Sequence, residues 1–360
     1  MKKKIGILTG LNPKTTPHGN RYNIGKILSQ AYDLDLIGFE EGYHNKFKKY
    51  FKFKQYTRIK ANNKFKWFLK DAINLYKYCR KEKPDILFSI QRPDFQGPLV
   101  TIFAKIFGIK SIVRYSGAYF DMHRFKKGVW NKLTTYLTCG LLMKVIKYSD
   151  KIICMGKEQK KELIRAGCNP KKINILLQPT NQKIFKPVKN KAKLRKKLNL
   201  PLNKKIIIYV GNITNFKGAD TLINVISKFS KDKNYLFIVL GKSITQYAAK
   251  LRKFDNVLLT GRVPHYKVAE YYQSADLHIH PSYVEGFPKV VLEAAACGLS
   301  TIARDIVGID RIAKKTFVKD KELIEYVRHG KWEASNKSKL PKEYSWKNLE
   351  KKYLDIFAFK

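Results

Sequence analysis

The chain has 360 residues, of which 73 are lysine or arginine and 28 are acidic, and its formal net charge is +45. Apolar residues make up 44% and aromatic residues 13% of it, which is enough for packed cores and excludes global disorder despite the charge. The length suits two α/β domains rather than one core. The charge fits an anionic membrane, nucleic acid, phosphorylated small molecules or simply solvated lysine-rich helix faces, so motifs must decide among them.

The first half of the chain alternates short β-branched runs with amphipathic stretches, the pattern of a parallel sheet with covered faces. We predict strands at 4–9, 34–39, 86–90, 111–115 and 152–155. The opening run is too short for a signal peptide. The longest apolar stretch, 136–146, is interrupted by Lys144 and falls far below the ~20 residues of a membrane-spanning helix. We therefore expect neither export nor a membrane span.

A second series of strands is predicted at 206–210, 236–240, 257–260, 277–280 and 300–303. A Lys/Asn/Pro-rich stretch between the two series is typical of an interdomain linker. We therefore predict an N-terminal domain at 1–186, a C-terminal domain at 187–340 and an amphipathic helix at 341–360. Ligands of doubly wound sheets bind beyond the carboxyl ends of the strands, so two such domains would face a cleft with a donor half and an acceptor half.

The five cysteines form no CxxC pair and lie in apolar or helical patterns, so neither a zinc site nor a disulfide framework is indicated, and we expect a reducing cytoplasm. Asp33 and Asp35 form a D-x-D pattern, but they fall at the start of a predicted strand, where alternating polar residues are routine. We therefore predict no metal site.

The most informative segment is HPSYVEGFPKVVLEAAACG, residues 280–298, between a predicted strand and a predicted helix. It places Glu285 in the loop and Glu293 about one turn into the helix, so both carboxylates can point towards one ligand. Carboxylates are apt acceptors for sugar and ribose hydroxyls. Taken alone, this spacing occurs by chance in charged proteins, and the carboxylates would be an ordinary loop residue and a solvated helix charge.

Main-chain groups in the same segment can meet an anion, because a helix N-terminus offers unpaired N–H groups and a partial positive charge. The candidates are the amides of Gly286 and Phe287 and those at the helix start, Lys289 and Val290. A second candidate anion site is the glycine-bounded loop 211–218 after a strand, which contains Lys217.

The 280–298 segment resembles the donor-site signature of the retaining family-four (group 1) glycosyltransferases of the GT-B type. The resemblance continues through VGNITNFKG at 210–218, LG at 240–241, GRVP at 261–264, YYQSAD at 271–276 and STIARDIVG at 300–308, and so covers 206–308 almost continuously. The N-terminal half matches only in rhythm. The resemblance implies a GT-B fold, with two Rossmann-like doubly wound parallel-sheet domains facing a cleft.

The resemblance also implies roles for individual residues. Glu293 would hold the nucleotide ribose, Glu285 would contact the transferred sugar, and Lys217 would neutralise the donor diphosphate. Backbone donors at Gly286 and Phe287 would meet the sugar. The backbone near Arg262 and Val263 would face the base.

One position departs from the family pattern. The family commonly has an arginine directly after Gly211, where this chain has Asn212. An arginine on phosphate contributes roughly 1.5 to 3 kcal/mol, so its loss would lower donor affinity on the order of tenfold or more. Arg262 or Lys242 could compensate, or the chain could be a catalytically degenerate homologue.

Acceptor-side candidates lie in the N-terminal half. They are Gly19, in the loop after the first strand, and Asp121 and His123, in a loop after a later strand. For each of them an ordinary structural role is the competing interpretation.

The stretches 47–54 and 64–70 interleave aromatic rings with lysines. Each lysine near an anionic lipid surface contributes roughly 1 kcal/mol, and aromatic rings suit the headgroup region. We predict that this basic aromatic segment holds the N-terminal domain on a membrane. The competing interpretation is a solvated face with core aromatics at alternating positions.

Together with the resemblance, these features predict a metal-independent glycosyltransferase that moves a hexosyl group from a nucleotide diphosphate sugar to a hydroxyl of a lipid-linked or cell-surface glycan precursor. The resemblance implies that it does so with retention of anomeric configuration. We expect no cofactor apart from this co-substrate, no nucleic-acid partner, and a peripheral location at the inner face of the cell membrane. The alternatives are a sugar-nucleotide epimerase and an inactive GT-B protein that binds an anionic membrane or nucleic acid.

Overall fold

The computed structural model of the chain describes residues 2–8, 20–38, 48–57, 64–90, 94–116, 128–177, 179–242, 245–285, 287–306, 313, 315–330, 332, 335, 337–344 and 346–359. The chain divides into two compact units. The N-terminal unit comprises Met1–Gln178 and Lys347–Lys360, and the C-terminal unit comprises Pro179–Trp346.

The described part of the N-terminal unit contains a seven-stranded sheet in the order β3-β2-β1-β4-β5-β6-β7, with every pair parallel. Its strands are β1 (Lys3–Leu8), β2 (Tyr32–Ile37), β3 (Lys52–Lys54), β4 (Ile86–Ser89), β5 (Lys110–Tyr115), β6 (Lys151–Cys154) and β7 (Ile173–Ile175). The central strands are almost continuously apolar, because helices cover both faces of a parallel sheet.

Five α-helices precede the C-terminal unit in the described residues: α1 (Asn20–Leu28), α2 (Lys64–Glu82), α3 (Gln96–Phe107), α4 (Val129–Thr135) and α5 (Lys157–Arg165). A π-helical turn, Tyr136–Leu141, and a 3₁₀ helix, Leu142–Tyr148, continue directly from α4. The buried faces of α2 and α3 meet the sheet through residues such as Leu75, Tyr78 and Leu99.

Both aspartates of the D-x-D pattern, Asp33 and Asp35, lie within strand β2. Asp35 is 1% exposed and accepts a hydrogen bond from the Tyr78 hydroxyl at 2.9 Å, whereas Asp33 is exposed. Burial raises the pKa of the Asp35 carboxyl, against the lowering effect of the Tyr78 hydrogen bond.

Part of the predicted basic aromatic segment is built into the fold. Phe51 is 5% exposed, and Phe68 packs against the core of the unit. Lys54, in β3, forms an ion pair with Glu82 at 2.7 Å. These contacts match the competing interpretation, core aromatics at alternating positions, for this part of the segment.

The C-terminal unit contains, within its described residues, a six-stranded parallel sheet in the order β10-β9-β8-β11-β12-β13. Its strands are β8 (Lys205–Val210), β9 (Tyr235–Leu240), β10 (Val257–Gly261), β11 (Leu277–His280), β12 (Ser300–Arg304) and β13 (Lys315–Phe317). Its α-helices are α6 (Lys191–Lys197), α7 (Ala219–Lys228), α8 (Thr245–Leu251), α9 (His265–Ser274), α10 (Lys289–Ala296) and α11 (Asp320–His329).

The strand order of this sheet reverses between β8 and β11. The chain leaves β8 towards β9 and β10 on one side, and continues with β11, β12 and β13 on the other. At such a switch point the loops after the two central strands separate and leave a crevice beyond their carboxyl ends. The loops after β8 and β11 contain Lys217 and Glu285.

The division between the units differs from the predicted domain boundary after residue 186. Residues 179–186 belong to the C-terminal unit rather than to the N-terminal one. Within that unit, Thr180 N–H donates to Tyr344 O at 3.2 Å, and the Phe185 ring lies 5.1 Å from that of His265. The predicted 341–360 element is also divided. The last helix, α12 (Trp346–Phe357), packs in the N-terminal unit, where Phe357 contacts Phe88 with ring centroids 5.0 Å apart. Within the described ranges, no helix has both the length and the apolar character needed to cross a bilayer.

A charged network ties the start of the C-terminal unit to its sheet. Asp276 accepts hydrogen bonds from Arg195 at 2.6 Å, Lys191 at 2.9 Å and the Ile206 N–H at 2.7 Å. Arg195 is 6% exposed and also donates to the carbonyl of Ser274 at 2.9 Å. Because the guanidinium is buried, its charge depends on Asp276 for compensation.

We predict that Asp276→Asn lowers the free energy of unfolding by about 3 kcal/mol, because it leaves the Arg195 charge buried without its partner. Urea unfolding followed by circular dichroism measures the change. The matched control is Glu270→Gln, which removes the ion pair between Glu270 and the exposed Lys197 and costs at most about 1 kcal/mol. Equal losses in the two variants would contradict the role of this network.

Candidate active site

Lys217 lies in a tight turn after β8. The short 3₁₀ helix Asn215–Lys217 ends at Gly218, whose φ is +75°. A Cβ atom at Gly218 would lie 2.2 Å from the carbonyl oxygen of Pro281, so the close approach of the two loops requires glycine here. Lys217 is thereby placed against the loop that follows β11.

The loop after β11 is fastened to the Lys217 turn. Tyr283 N–H donates to Phe216 O at 3.0 Å, and the Ser282 hydroxyl donates to the same carbonyl at 3.3 Å. From β12, the Arg304 guanidinium donates to Pro281 O at 3.2 Å and lies 4.2 Å from the centroid of the Tyr283 ring. These contacts fix the backbone that leads into Glu285.

One carboxylate oxygen of Glu285 lies close to two side chains, those of Lys217 and His280. Its Oε1 accepts a hydrogen bond from Lys217 Nζ at 2.5 Å and lies 3.3 Å from His280 Nε2. His280 ends β11 and is 3% exposed. Burial raises the pKa of the Glu285 carboxyl, but the hydrogen bond from His280 and the charge of Lys217 outweigh it, and the pKa lies below its ordinary value. Glu285 is therefore an anion at neutral pH.

Glu293 forms a second cluster one turn into α10. It is 2% exposed, and its Oε1 lies 2.8 Å from His265 Nε2 and 3.3 Å from Lys289 Nζ. His265 begins α9, directly after the GRVP segment, and its ring packs on Phe185. Two nitrogen groups thus hold this carboxylate in place.

A cavity of 350 Å³ lies beyond the ends of β8, β9 and β11. Nine of the predicted site residues line it: Gly211, Asn212, Lys217, Arg262, Val263, Glu285, Phe287, Lys289 and Val290. The lining also contains residues to which the sequence assigned no role: Tyr209, Val210, Leu240, Gly241 and His280. The structure therefore brings the predicted donor-side residues of several segments to one cavity.

Other predicted residues lie elsewhere. Glu293 is not in the lining, but Lys289, which is, contacts its carboxylate. Gly286, Gly19, Asp121 and His123 lie outside the described residues.

One expected donor to an anion is engaged within the protein. Lys289 N–H, at the start of α10, donates to Phe287 O at 2.9 Å. The main-chain N–H of Lys289 is therefore engaged within the protein, and its side-chain ammonium lies 3.3 Å from the Glu293 carboxylate.

Asn212 places no charge in the cavity, and its carbonyl accepts a hydrogen bond from the Tyr209 hydroxyl at 3.0 Å. Arg262, from the loop after β10, lies in the same lining. Lys242 lies in the lining of a neighbouring cavity of 440 Å³ that also includes Arg262.

Sequence reasoning missed His280, His265 and Arg304. His280 offered a signal, because it stands at the carboxyl end of a predicted strand inside the most informative segment. His265 and Arg304 offered none, since their contacts depend on how α9 and β12 pack. Among the described residues, no three His, Cys, Asp or Glu side chains are grouped so that they could hold a metal ion.

The family model for glycosyl transferases group 1 matches residues 190–334, which include the whole cavity lining. The phosphatidylinositol N-acetylglucosaminyltransferase GPI3 subunit of Saccharomyces cerevisiae is 26% identical over 250 residues, a match that covers 64% of this chain and 55% of that protein. The chain therefore spans about half the length of the curated relatives it matches.

Two solved structures are similar over almost the entire chain. Anabaena HepE, in complex with UDP-glucose, matches with a TM-score of 0.74 at 13% identity, and the match covers 98% of this chain and 98% of that one. Sucrose-phosphate synthase from Thermosynechococcus elongatus has a TM-score of 0.71 at 17% identity, with 99% of this chain and 95% of that one covered. At such identities these likenesses show the fold alone, and with the two parallel-sheet units they establish it as GT-B. Over residues 190–334, the chain is similar to the glycosyl transferases group 1.

Proposed function

We propose that this protein transfers a hexosyl group from a nucleotide diphosphate sugar to a hydroxyl group, with retention of anomeric configuration and without a metal ion. The observation that carries the proposal is the meeting of Lys217, His280 and the anionic Glu285 in one cavity at the switch point of the C-terminal sheet. A cation for a diphosphate and a carboxylate for a sugar are both present within a few ångströms. The match to the group 1 family supports the same activity.

Lys217 changes partner when the donor binds, in this proposal. Its ammonium leaves Glu285 for the diphosphate, where negative charge develops as the bond from the sugar carbon to the phosphate oxygen breaks. The acceptor oxygen forms the new bond to that carbon, and its proton passes to the departing phosphate oxygen. His280 keeps Glu285 ionised and in place, so that its carboxylate stabilises the positive charge on the sugar ring.

Recognition of the nucleotide is assigned to the second cluster and to the loop after β10. Glu293, fixed by His265 and Lys289, accepts hydrogen bonds from the ribose hydroxyls. The backbone at Arg262 and Val263 faces the base, and the Arg262 side chain offsets the missing charge at Asn212. The UDP-glucose complex of HepE, a protein of the same fold, supports a donor of this class.

The acceptor is proposed to be a lipid-linked or cell-surface glycan precursor at the inner face of the cell membrane. The name of the yeast relative, a phosphatidylinositol N-acetylglucosaminyltransferase subunit, supports a lipid-linked acceptor. Gly19, Asp121 and His123 remain proposed acceptor-side residues. We propose no nucleic-acid partner.

Replacement of Glu285 by alanine should lower the rate of transfer at least about 100-fold, because the charge on the sugar ring loses its stabilising carboxylate. Affinity for a nucleoside diphosphate should stay the same or rise, since Lys217 loses its competing partner. Transfer of labelled sugar from a panel of nucleotide sugars into lipid extract, together with calorimetric titration, measures both. Glu325→Ala, on the exposed side of α11, is the control, and undiminished transfer by Glu285→Ala would rule out the proposed role.

Replacement of Glu293 by glutamine should weaken binding of nucleoside diphosphates roughly tenfold, because hydrogen bonds to a charged acceptor are stronger than those to a neutral one. Inorganic pyrophosphate has no ribose, so its affinity should not change. The two titrations separate a ribose contact from general damage to the cavity. An unaltered affinity for nucleoside diphosphates would remove Glu293 from the donor site.

A further inference from the structure

One segment of the N-terminal unit is apolar on two sides. α4, the π-helical turn and the 3₁₀ helix form a continuous helical run from Val129 to Tyr148. Its inner side is buried in the unit through Thr135, Cys139, Met143 and Ile146. This side accounts for the attachment of the run to the fold.

The outer side carries large apolar residues that are exposed. Val129 is 80% and Trp130 79% exposed, and Leu133, Leu137 and Leu141 are each between 44% and 47% exposed. On a helix of 3.6 residues per turn, the first four of these positions fall within about 100° of one another, opposite Thr135. Isolated exposed apolar residues are normal, but a contiguous stripe that includes a tryptophan marks an interaction surface. We call this stripe the outer face of the α4 run.

The charged side chains around the outer face are all positive. Residues 129–149 include Lys132, Lys144 and Lys147 and no aspartate or glutamate. Lys132 and Lys144 are exposed, and Lys147 Nζ lies 5.0 Å from the centroid of the Tyr148 ring. Apolar side chains flanked by lysines and aromatic rings suit the boundary between lipid headgroups and acyl chains. A surface of anionic lipid complements this charge, whereas a second copy of a chain with net charge +45 would repel it.

We propose that the outer face of the α4 run docks this protein on an anionic lipid bilayer. Trp130 and Leu133 enter the headgroup boundary while the lysines meet the lipid phosphates. This inference refines the membrane association in the proposed function, and it moves the contact away from the segment that the sequence favoured. In that segment Phe51 and Phe68 pack in the core and Lys54 is paired with Glu82.

Co-sedimentation of the full chain with vesicles tests the proposal without any donor or acceptor. Vesicles of phosphatidylcholine and phosphatidylglycerol, roughly three to one, should bind the chain, and pure phosphatidylcholine vesicles should bind it far less. The double variant Trp130→Ser/Leu133→Ser should lower partitioning into the anionic vesicles at least about tenfold. The matched control, Leu202→Ser/Val318→Ser, removes two exposed apolar residues from the C-terminal unit and should leave partitioning within about twofold.

Tryptophan fluorescence locates the contact independently. Anionic vesicles should shift the emission of the wild-type chain to the blue, and Trp130→Phe should still bind but lose most of that shift. The proposal is overturned if the serine double variant partitions like the wild-type chain, or if Lys48→Gln/Lys49→Gln/Lys52→Gln loses binding while the double variant keeps it. A lipid-independent dimer that the double variant abolishes would assign the face to a second copy and overturn the proposal as well.

The same variant separates this inference from the proposed function. Its affinity for nucleoside diphosphates should equal that of the wild-type chain, because the substituted residues lie in the other unit from the cavity. If the wild-type chain binds nucleoside diphosphates but does not bind the anionic vesicles, the docking surface is overturned and the proposed glycosyl transfer still stands.

Discussion

The ion pair between Lys217 and Glu285 depends on the crossover of the C-terminal sheet, and the candidate active site depends on that ion pair. β8 and β11 are neighbours in the sheet but far apart in the chain, so their following loops meet only when these two strands have paired. The hydrogen bonds from Ser282 and Tyr283 to Phe216 then join the two loops. Folding therefore places a cation beside a buried carboxylate, an arrangement that is costly unless each compensates the other.

The same pair explains how a buried anion persists in the candidate active site. Burial alone would raise the pKa of the Glu285 carboxyl, but His280 and Lys217 lower it below its ordinary value. In the proposed reaction, a diphosphate, which carries more charge than a single carboxylate, draws Lys217 away from Glu285, and His280 remains. The carboxylate of Glu293 is likewise held by two side chains, those of His265 and Lys289. Each carboxylate is thus oriented by nitrogen groups before a ligand arrives, which reduces the ordering that binding must achieve.

The sequence predicted the features that local chemistry determines. Lys217 is positioned by Gly218 and the end of β8, and Glu285 by the end of β11. Each of these sequence features lies within a few residues of the side chain that it positions. The contact between His265 and Glu293 joins residues 28 positions apart through the packing of α9 on α10, so no local sequence pattern predicts it. The edge strands β3, β7 and β13 were missed because each has three residues and an edge position demands little apolar character. The last helix packs in the N-terminal unit through contacts such as that of Phe357 with Phe88. The apolar periodicity of its sequence predicts a buried face but does not say which unit that face packs against.

Calorimetric titration with UDP, GDP and ADP sugars tests the central claim most directly, with Lys217→Gln as the decisive variant and Lys197→Gln, on the exposed side of α6, as its control. The account predicts that the wild-type chain binds one nucleotide class, that Lys217→Gln weakens this binding at least about tenfold, and that Lys197→Gln does not. Absence of binding by every nucleotide sugar, or equal affinity in the Lys217 variant, would contradict a donor site built on this lysine and would favour a degenerate homologue.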